Sequence, residues 1–115
     1  MLKPNKAELI NQYLQEGNLQ RCIELLEIAT QEDQRDLQFL TSGNDVHRRL
    51  KDHKRALRYA EALLQEYPNK PVGYIRTSQD YLALGSNIEA KKAIENGLDQ
   101  FPDHAGILIV AIEVV

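Results

Sequence analysis

Hydrophobic residues along this chain recur at helical spacing, and polar breaks divide them into pairs. Ala7, Ile10, Tyr13 and Leu14 fall at i, i+3, i+6 and i+7, one face of a helix. Gly17-Asn18 interrupts the pattern, and Ile23, Leu25, Leu26, Ile28 and Ala29 open a second helical segment. The pattern predicts a further pair over roughly 37–50 and 53–66, with Asp52 as N-cap, and a third over roughly 72–84 and 87–100. Ser86-Asn87-Ile88-Glu89 reads as a capping box, the serine accepting from first-turn amides while the glutamate reaches back. Tyr67-Pro68 and Phe101-Pro102 stop the second helices, because proline disfavours a helical residue before it and breaks a helix interior. Asp103 is the expected cap of a seventh helix running to Val115. Residues 107–115 are rich in β-branched side chains and would suit a buried strand if read alone. Their place after the third pair, which Pro102 terminates, favours a helix.

The pairs repeat. Cys22, Ala56 and Ala90 are 34 residues apart, as are Tyr13, His47 and Tyr81, and Leu26, Ala60 and Ile94. Pro68 and Pro102 share that interval, and Gly17 and Gly85 are two intervals apart. Self-similarity at such a period marks stacked helical hairpins that cannot bury their faces singly. The small residues at 22, 56 and 90 belong where two helices approach closely and a larger group would overpack.

These residues resemble the tetratricopeptide repeat family. The segment from Pro71 to His104 matches best, with Tyr74, Tyr81, Gly85, Ala90, Leu98 and Pro102 in the family's places. Leu37 to Lys70 is a second copy with Leu40, Ala56, Leu64 and Pro68 in register, but with Lys51 at the turn glycine and His47 in an aromatic slot. A first copy, roughly Lys3 to Asp36, keeps Tyr13, Gly17 and Leu26 and has Gln34 instead of proline. The resemblance implies one domain over residues 1–115, with repeats at 3–36, 37–70 and 71–104 and a partial fourth at 105–115. The implied fold is all-α: a right-handed superhelical solenoid of antiparallel helix pairs, with about seven helices.

By the same resemblance, the first helix of each hairpin lines a concave surface that binds peptides. The positions carried over are Asn11, Leu14 and Gln15, then Thr41, Ser42, Asp45, Arg48 and Arg49, then Val72, Ile75, Arg76, Gln79 and Ala83. The strongest candidates for contact with a ligand are Asn11, Gln15, Asp45, Arg48, Arg49, Ile75, Arg76 and Gln79. Guanidinium forks suit carboxylates, carbonyls or phosphate groups. Chaperone-adaptor members of the family clamp an acidic C-terminal tail with two lysines, two asparagines and a further basic residue. Here those places hold Ala7, Asn11, Ser42, Val72 and Arg76, so a dicarboxylate clamp is not expected.

Charge changes the picture only in the middle. The formal net charge is −3, which creates no global attraction for nucleic acid or an anionic membrane. Residues 37–60, however, hold six Lys/Arg against two Asp/Glu, between two acidic flanks. The run from His47 to Arg55 is divided by the hairpin turn and lacks the interleaved aromatics of a base-stacking platform. It favours an acidic protein surface, or an acidic neighbour within the chain, over nucleic acid. The single cysteine, Cys22, excludes an intrachain disulfide and fills an alanine slot as a buried thiol. His47, His53 and His104 show no metal-ligand spacing, and no phosphate loop or nucleophile–base pair is visible. No metal, cofactor or catalysis is expected of this segment. The opening residues lack a signal-peptide run and no stretch is long enough to span a bilayer, so no membrane partner is expected and the cytoplasm is the default.

The reading that follows is a protein–protein interaction scaffold binding a peptide or neighbouring domain on its concave face. The alternative is an N-terminal accessory segment that orients the catalytic domain of a larger enzyme. Residues 105–115 carry one charge and are apolar all round, a pattern that expects burial on both sides. This predicts a chain cut from a longer protein and, in isolation, self-association through Leu108, Ile109 and Ile112.

Overall fold

Seven α-helices account for most of the residues that the computed structural model describes, 4–114: α1 (Lys6–Gln15), α2 (Leu19–Glu27), α3 (Leu37–Arg49), α4 (His53–Glu66), α5 (Val72–Ala83), α6 (Asn87–Gln100) and α7 (Ala105–Val114). Among the described residues there is no strand, and residues 105–114 are helical despite their β-branched composition. Polar side chains start the helices. Asn5, Asn18, Asp36 and Asp52 accept from the amides of Glu8, Arg21, Phe39 and Arg55. Two expected caps differ. Ser86 precedes α6 without a side-chain hydrogen bond to it, so the capping box is not formed. At α7 the cap is His104, whose Nδ1 accepts from the amides of Gly106 (3.1 Å) and Ile107 (3.4 Å), a role that sequence assigned to Asp103.

The three hairpin turns are copies of one another. The amides of Asn18, Asp52 and Ser86 donate to the carbonyls of Tyr13, His47 and Tyr81, each over 2.8 Å. This closure needs a left-handed residue just past the helix end. Gly17 and Gly85 supply it at φ 78° and 77°, and Lys51 is forced into the same region at φ 59°. The small-residue slots then bring each hairpin together: Cys22, Ala56 and Ala90 are fully buried. Gly73 lets α5 lie against the backbone of α4, for an added Cβ would meet Leu64 Cα at 2.7 Å.

Core packing runs along the stack in two clusters. Ile10, Cys22, Leu26, Phe39 and Val46 fill the first, and Tyr74, Ile94, Ile107 and Val110 the second. The hairpins differ where sequence departed from the repeat. α2 ends at Glu27, sooner than Ile28 and Ala29 suggested, and Ile28 is exposed. A connection with a 3-10 turn at Asp33–Arg35 follows, fastened by reciprocal bonds between Thr30 and Asp33 and by an ion pair of Lys6 with Asp33 at 2.8 Å. With Gln34 where the other repeats have proline, the helix stops at a capped loop instead. The result is a right-handed stack of antiparallel helix pairs about 44 Å long, its first helices on one side and its second helices on the other.

Candidate functional site

The face formed by α1, α3 and α5 is not uniform. α1 packs on α3, and α5 on α7, but no Cα of α3 comes within 8 Å of one in α5. Polar side chains fill that gap. Asn44, fully buried on α3, donates from Nδ2 to Ala56 O (2.7 Å) and to Asp80 Oδ2 (2.8 Å). Arg76 reaches across from α5 and donates to Asn44 Oδ1 (2.8 Å) and to Asp45 Oδ1. Arg48 Nε lies 3.2 Å from Asp80 Oδ1, at ion-pair distance but without hydrogen-bond geometry.

Asp80 is the centre of this arrangement and is wholly enclosed. Burial disfavours its charge and pushes its carboxyl above the ordinary value. The Asn44 bond and the nearby Arg48, His53 and Arg76 side chains pull it back down. An unpaired buried carboxylate would be costly, so the two arginines are bound to the interior as much as to the face. Sequence reasoning named Arg48 and Arg76 as ligand contacts and had no signal for Asn44 or Asp80. Nothing in a polar residue at 44 or 80 reveals that its side chain turns inward.

The other carried-over positions divide by what they touch. Asn11 is half-buried and accepts from Ser42 Oγ at 2.8 Å. Ile75 packs against the second core cluster and lies over Gly106. Gln15 and Arg49 are exposed, while Asp45 and Gln79 are half-buried. Neither exposed residue has a side-chain partner in the structure among the described residues. The face therefore exposes an amide and a guanidinium at the α1–α3 end, with a pinned Arg76–Asp45 pair beside them.

Among the clamp positions, Ala7 is buried, Ser42 is bonded to Asn11, and Arg76 is engaged with Asn44 and Asp45. No lysine stands at either of the two lysine places. His47 is buried and stacks on Tyr59 with ring centroids 5.5 Å apart, and burial lowers its pKa. The Cys22 thiol is enclosed, donates to Ile10 O at 3.4 Å, and is pushed up by desolvation. Among the described residues no group of His, Cys, Asp and Glu is placed to hold a metal ion, and no helix is long and apolar enough to cross a membrane.

No family model and no curated protein matches the chain by sequence. Solved structures do match by shape. The first tetratricopeptide domain of human RPAP3 superposes with a TM-score of 0.78 at 20% identity, over 95% of this chain and 86% of that one. The second such domain of human RPAP3, in complex with the HSP70 peptide SGPTIEEVD, gives 0.80 at 16% identity, over 95% and 91%. The first such domain of Spaghetti (RPAP3), bound to the HSP90 peptide SRMEEVD, gives 0.79 at 20%, over 95% and 86%. The fold is thus of the tetratricopeptide type.

Proposed function

We propose that this chain is a protein–protein interaction scaffold that binds a peptide or a neighbouring domain on the face of its first helices. One observation carries the reading: a buried polar network fixes α3 and α5 at a set separation and leaves Gln15, Arg49 and Gln79 free to meet a ligand. Two of the structural neighbours hold peptides ending in Glu-Glu-Val-Asp. This chain lacks the paired lysines such an end requires, so its ligand is a different class. We take it to be an internal segment recognised through amide contacts from Asn11, Gln15 and Gln79, with one carboxylate or carbonyl on Arg49.

The test uses the residues that the interior does not need. Arg49→Glu with Gln15→Ala should cut recovery of partners from a source-cell extract while the unfolding midpoint stays at the wild-type value. Equal recovery of every partner by both proteins would remove this face from consideration. Arg48 and Arg76 are poor test positions, because truncating either weakens the support of buried Asp80.

The exposed side of α7 supports a second contact, between two copies of the chain. Leu108, Ile109 and Ile112 are 42%, 58% and 76% exposed, while Ile107 and Val110 face the core. An adjoining apolar row of this kind is stabilised when a partner removes it from water.

A further inference from the structure

The side opposite the candidate ligand face holds a cleft that neither the repeat pattern nor the groove explains. It has a volume of about 820 Å³ and lies between α2, α3, α4 and the connection over 28–36. The corresponding space between α4 and α6 is about 330 Å³. The excess has a structural source. α2 has 9 residues where α4 and α6 have 14, about 7.5 Å less helix. The early stop leaves apolar side chains of two hairpins facing an opening.

That opening has an apolar wall and a charge polarity. Ile23 and Leu26 of α2 face Tyr59 and Ala62 of α4 across it. Arg55 and Arg58, in the first turns of α4, stand at one end. Lys51 and Lys54, exposed on the same turn, extend the positive surface beyond them. Asp52 is the acidic residue among these cations, and it caps α4 and pairs with Arg55 at 3.6 Å. Lys51, Lys54 and Arg58 have no ion-pair partner among the described residues. At the other end are Glu27, where α2 ends, and Glu66, where α4 ends, with Arg35 beside them. The basic excess of residues 37–60 is therefore gathered largely at one mouth of an apolar cleft.

We infer that this cleft is a second docking site, and that its occupant is an acidic segment of a partner protein. One bulky apolar side chain enters between Tyr59, Ala62, Ile23 and Leu26. Flanking Asp or Glu residues lie over Arg58, Arg55 and Lys54. Two features favour that chemistry over others. The volume and apolar wall match a side-chain anchor, which a phosphate backbone does not supply. The cations sit at one end only, whereas a nucleic-acid strand needs positive charge along its track. Charges at the rim act chiefly on encounter rate and salt dependence, and the anchor on residence time.

The probe is a fluorescein-labelled synthetic peptide with one Phe flanked on one side by four Glu, followed by anisotropy at low and moderate salt. Controls replace Phe by Ala, replace the four Glu by Lys, or substitute a single-stranded oligonucleotide for the peptide. Arg58→Glu should weaken the Phe–Glu peptide about tenfold or more, with a reduced salt dependence. Ala62→Trp, which fills the cleft, should remove the advantage of Phe over Ala without removing the salt dependence. Amide shifts on binding should concentrate in 23–31 and 55–66. Circular dichroism verifies that both variants are folded; Arg58→Glu, at an exposed position, decides the matter if Ala62→Trp is not. The inference fails if the Phe–Glu peptide shows no binding, or if Arg58→Glu leaves its affinity unchanged. It fails equally if the Ala peptide or the oligonucleotide binds as tightly, which would make the patch a simple polyanion surface.

Discussion

Asp80 shows how much one side chain can differ from its neighbours in sequence. It is enclosed at 0% exposure, accepts from Asn44, and has Arg48, Arg76 and His53 around it. Desolvation wins over these partners, so its folded-state pKa lies above the ordinary 3.8. A raised pKa means that the folded protein holds the proton more tightly than the unfolded chain. The associated stability is fully present below the ordinary value and is lost as pH rises through the folded one. Asp80→Asn keeps the shape and the Asn44 bond while removing the charge. The difference in unfolding midpoint between variant and wild type should therefore change between neutral pH and about pH 4. The variant should gain relative to wild type toward neutral pH. A midpoint difference that stays constant over this range would show that burial of the charge is not what sets the shift. His47 works in the opposite direction. Burial lowers its pKa, so its stability is present above the ordinary value of 6.5 and falls away as pH drops through the folded value.

The helical hairpin is where sequence and structure agree most closely, and also where one flaw is visible. The same closing hydrogen bond recurs at 2.8 Å in all three turns, yet Lys51 does at φ 59° what Gly17 and Gly85 do at 78° and 77°. A side chain in the left-handed region costs about 1–2 kcal/mol, and part of that is recovered when glycine replaces it, less the added chain entropy of the unfolded state. Lys51→Gly should raise the unfolding midpoint by an amount equivalent to about 0.5–1 kcal/mol. Thermal unfolding beside Gly85→Ala, which should shift in the opposite direction, provides the comparison. A Lys51→Gly midpoint at or below that of wild type would mean that the lysine makes a compensating contact. Elements were legible because caps, turn glycines and prolines act locally. The exceptions follow from the same principle. Ser86 and Asp103 sat at suitable positions, but capping depends on the side chain's rotamer and on nearby competitors such as His104.

At the scale of the whole molecule, the two ends of the stack are unlike. α1 carries charged and amide groups outward, while α7 exposes Leu108, Ile109 and Ile112 beside the buried Ile107 and Val110. Association of two copies through α7 predicts a mass above 13.1 kDa that falls on dilution. Ile109→Glu should give the monomer at every concentration, since an unpaired charge in an apolar contact is strongly unfavourable. Light scattering across a dilution series tests this. A wild-type monomer at all concentrations would overturn the association.

What sequence by itself determined was the repeated unit. Its interval, its small-residue slots and its stops are set by contacts within a hairpin or between adjacent hairpins, and such contacts recur at a fixed offset. That is also why shape matches to solved structures at 16–20% identity while no family model does. The pattern asks only for small, aliphatic or turn-forming residues at given places, and many sequences satisfy it. What only the tertiary structure decided was the fate of the polar residues. Arg48 and Arg76 are read from sequence as contacts on the ligand face, and Asn44 and Asp80, both fully buried, carry no sequence signal for their position. The separation of α3 and α5 turns them toward one another: buried Asp80 faces Arg48, while Arg76 is held by Asn44 and Asp45. The cleft beside α2 is decided the same way. Its apolar wall is legible residue by residue, but its opening comes from where α2 stops relative to α4. That relation depends on the Thr30–Asp33 loop and the Lys6 ion pair, contacts joining parts of the chain that no period relates.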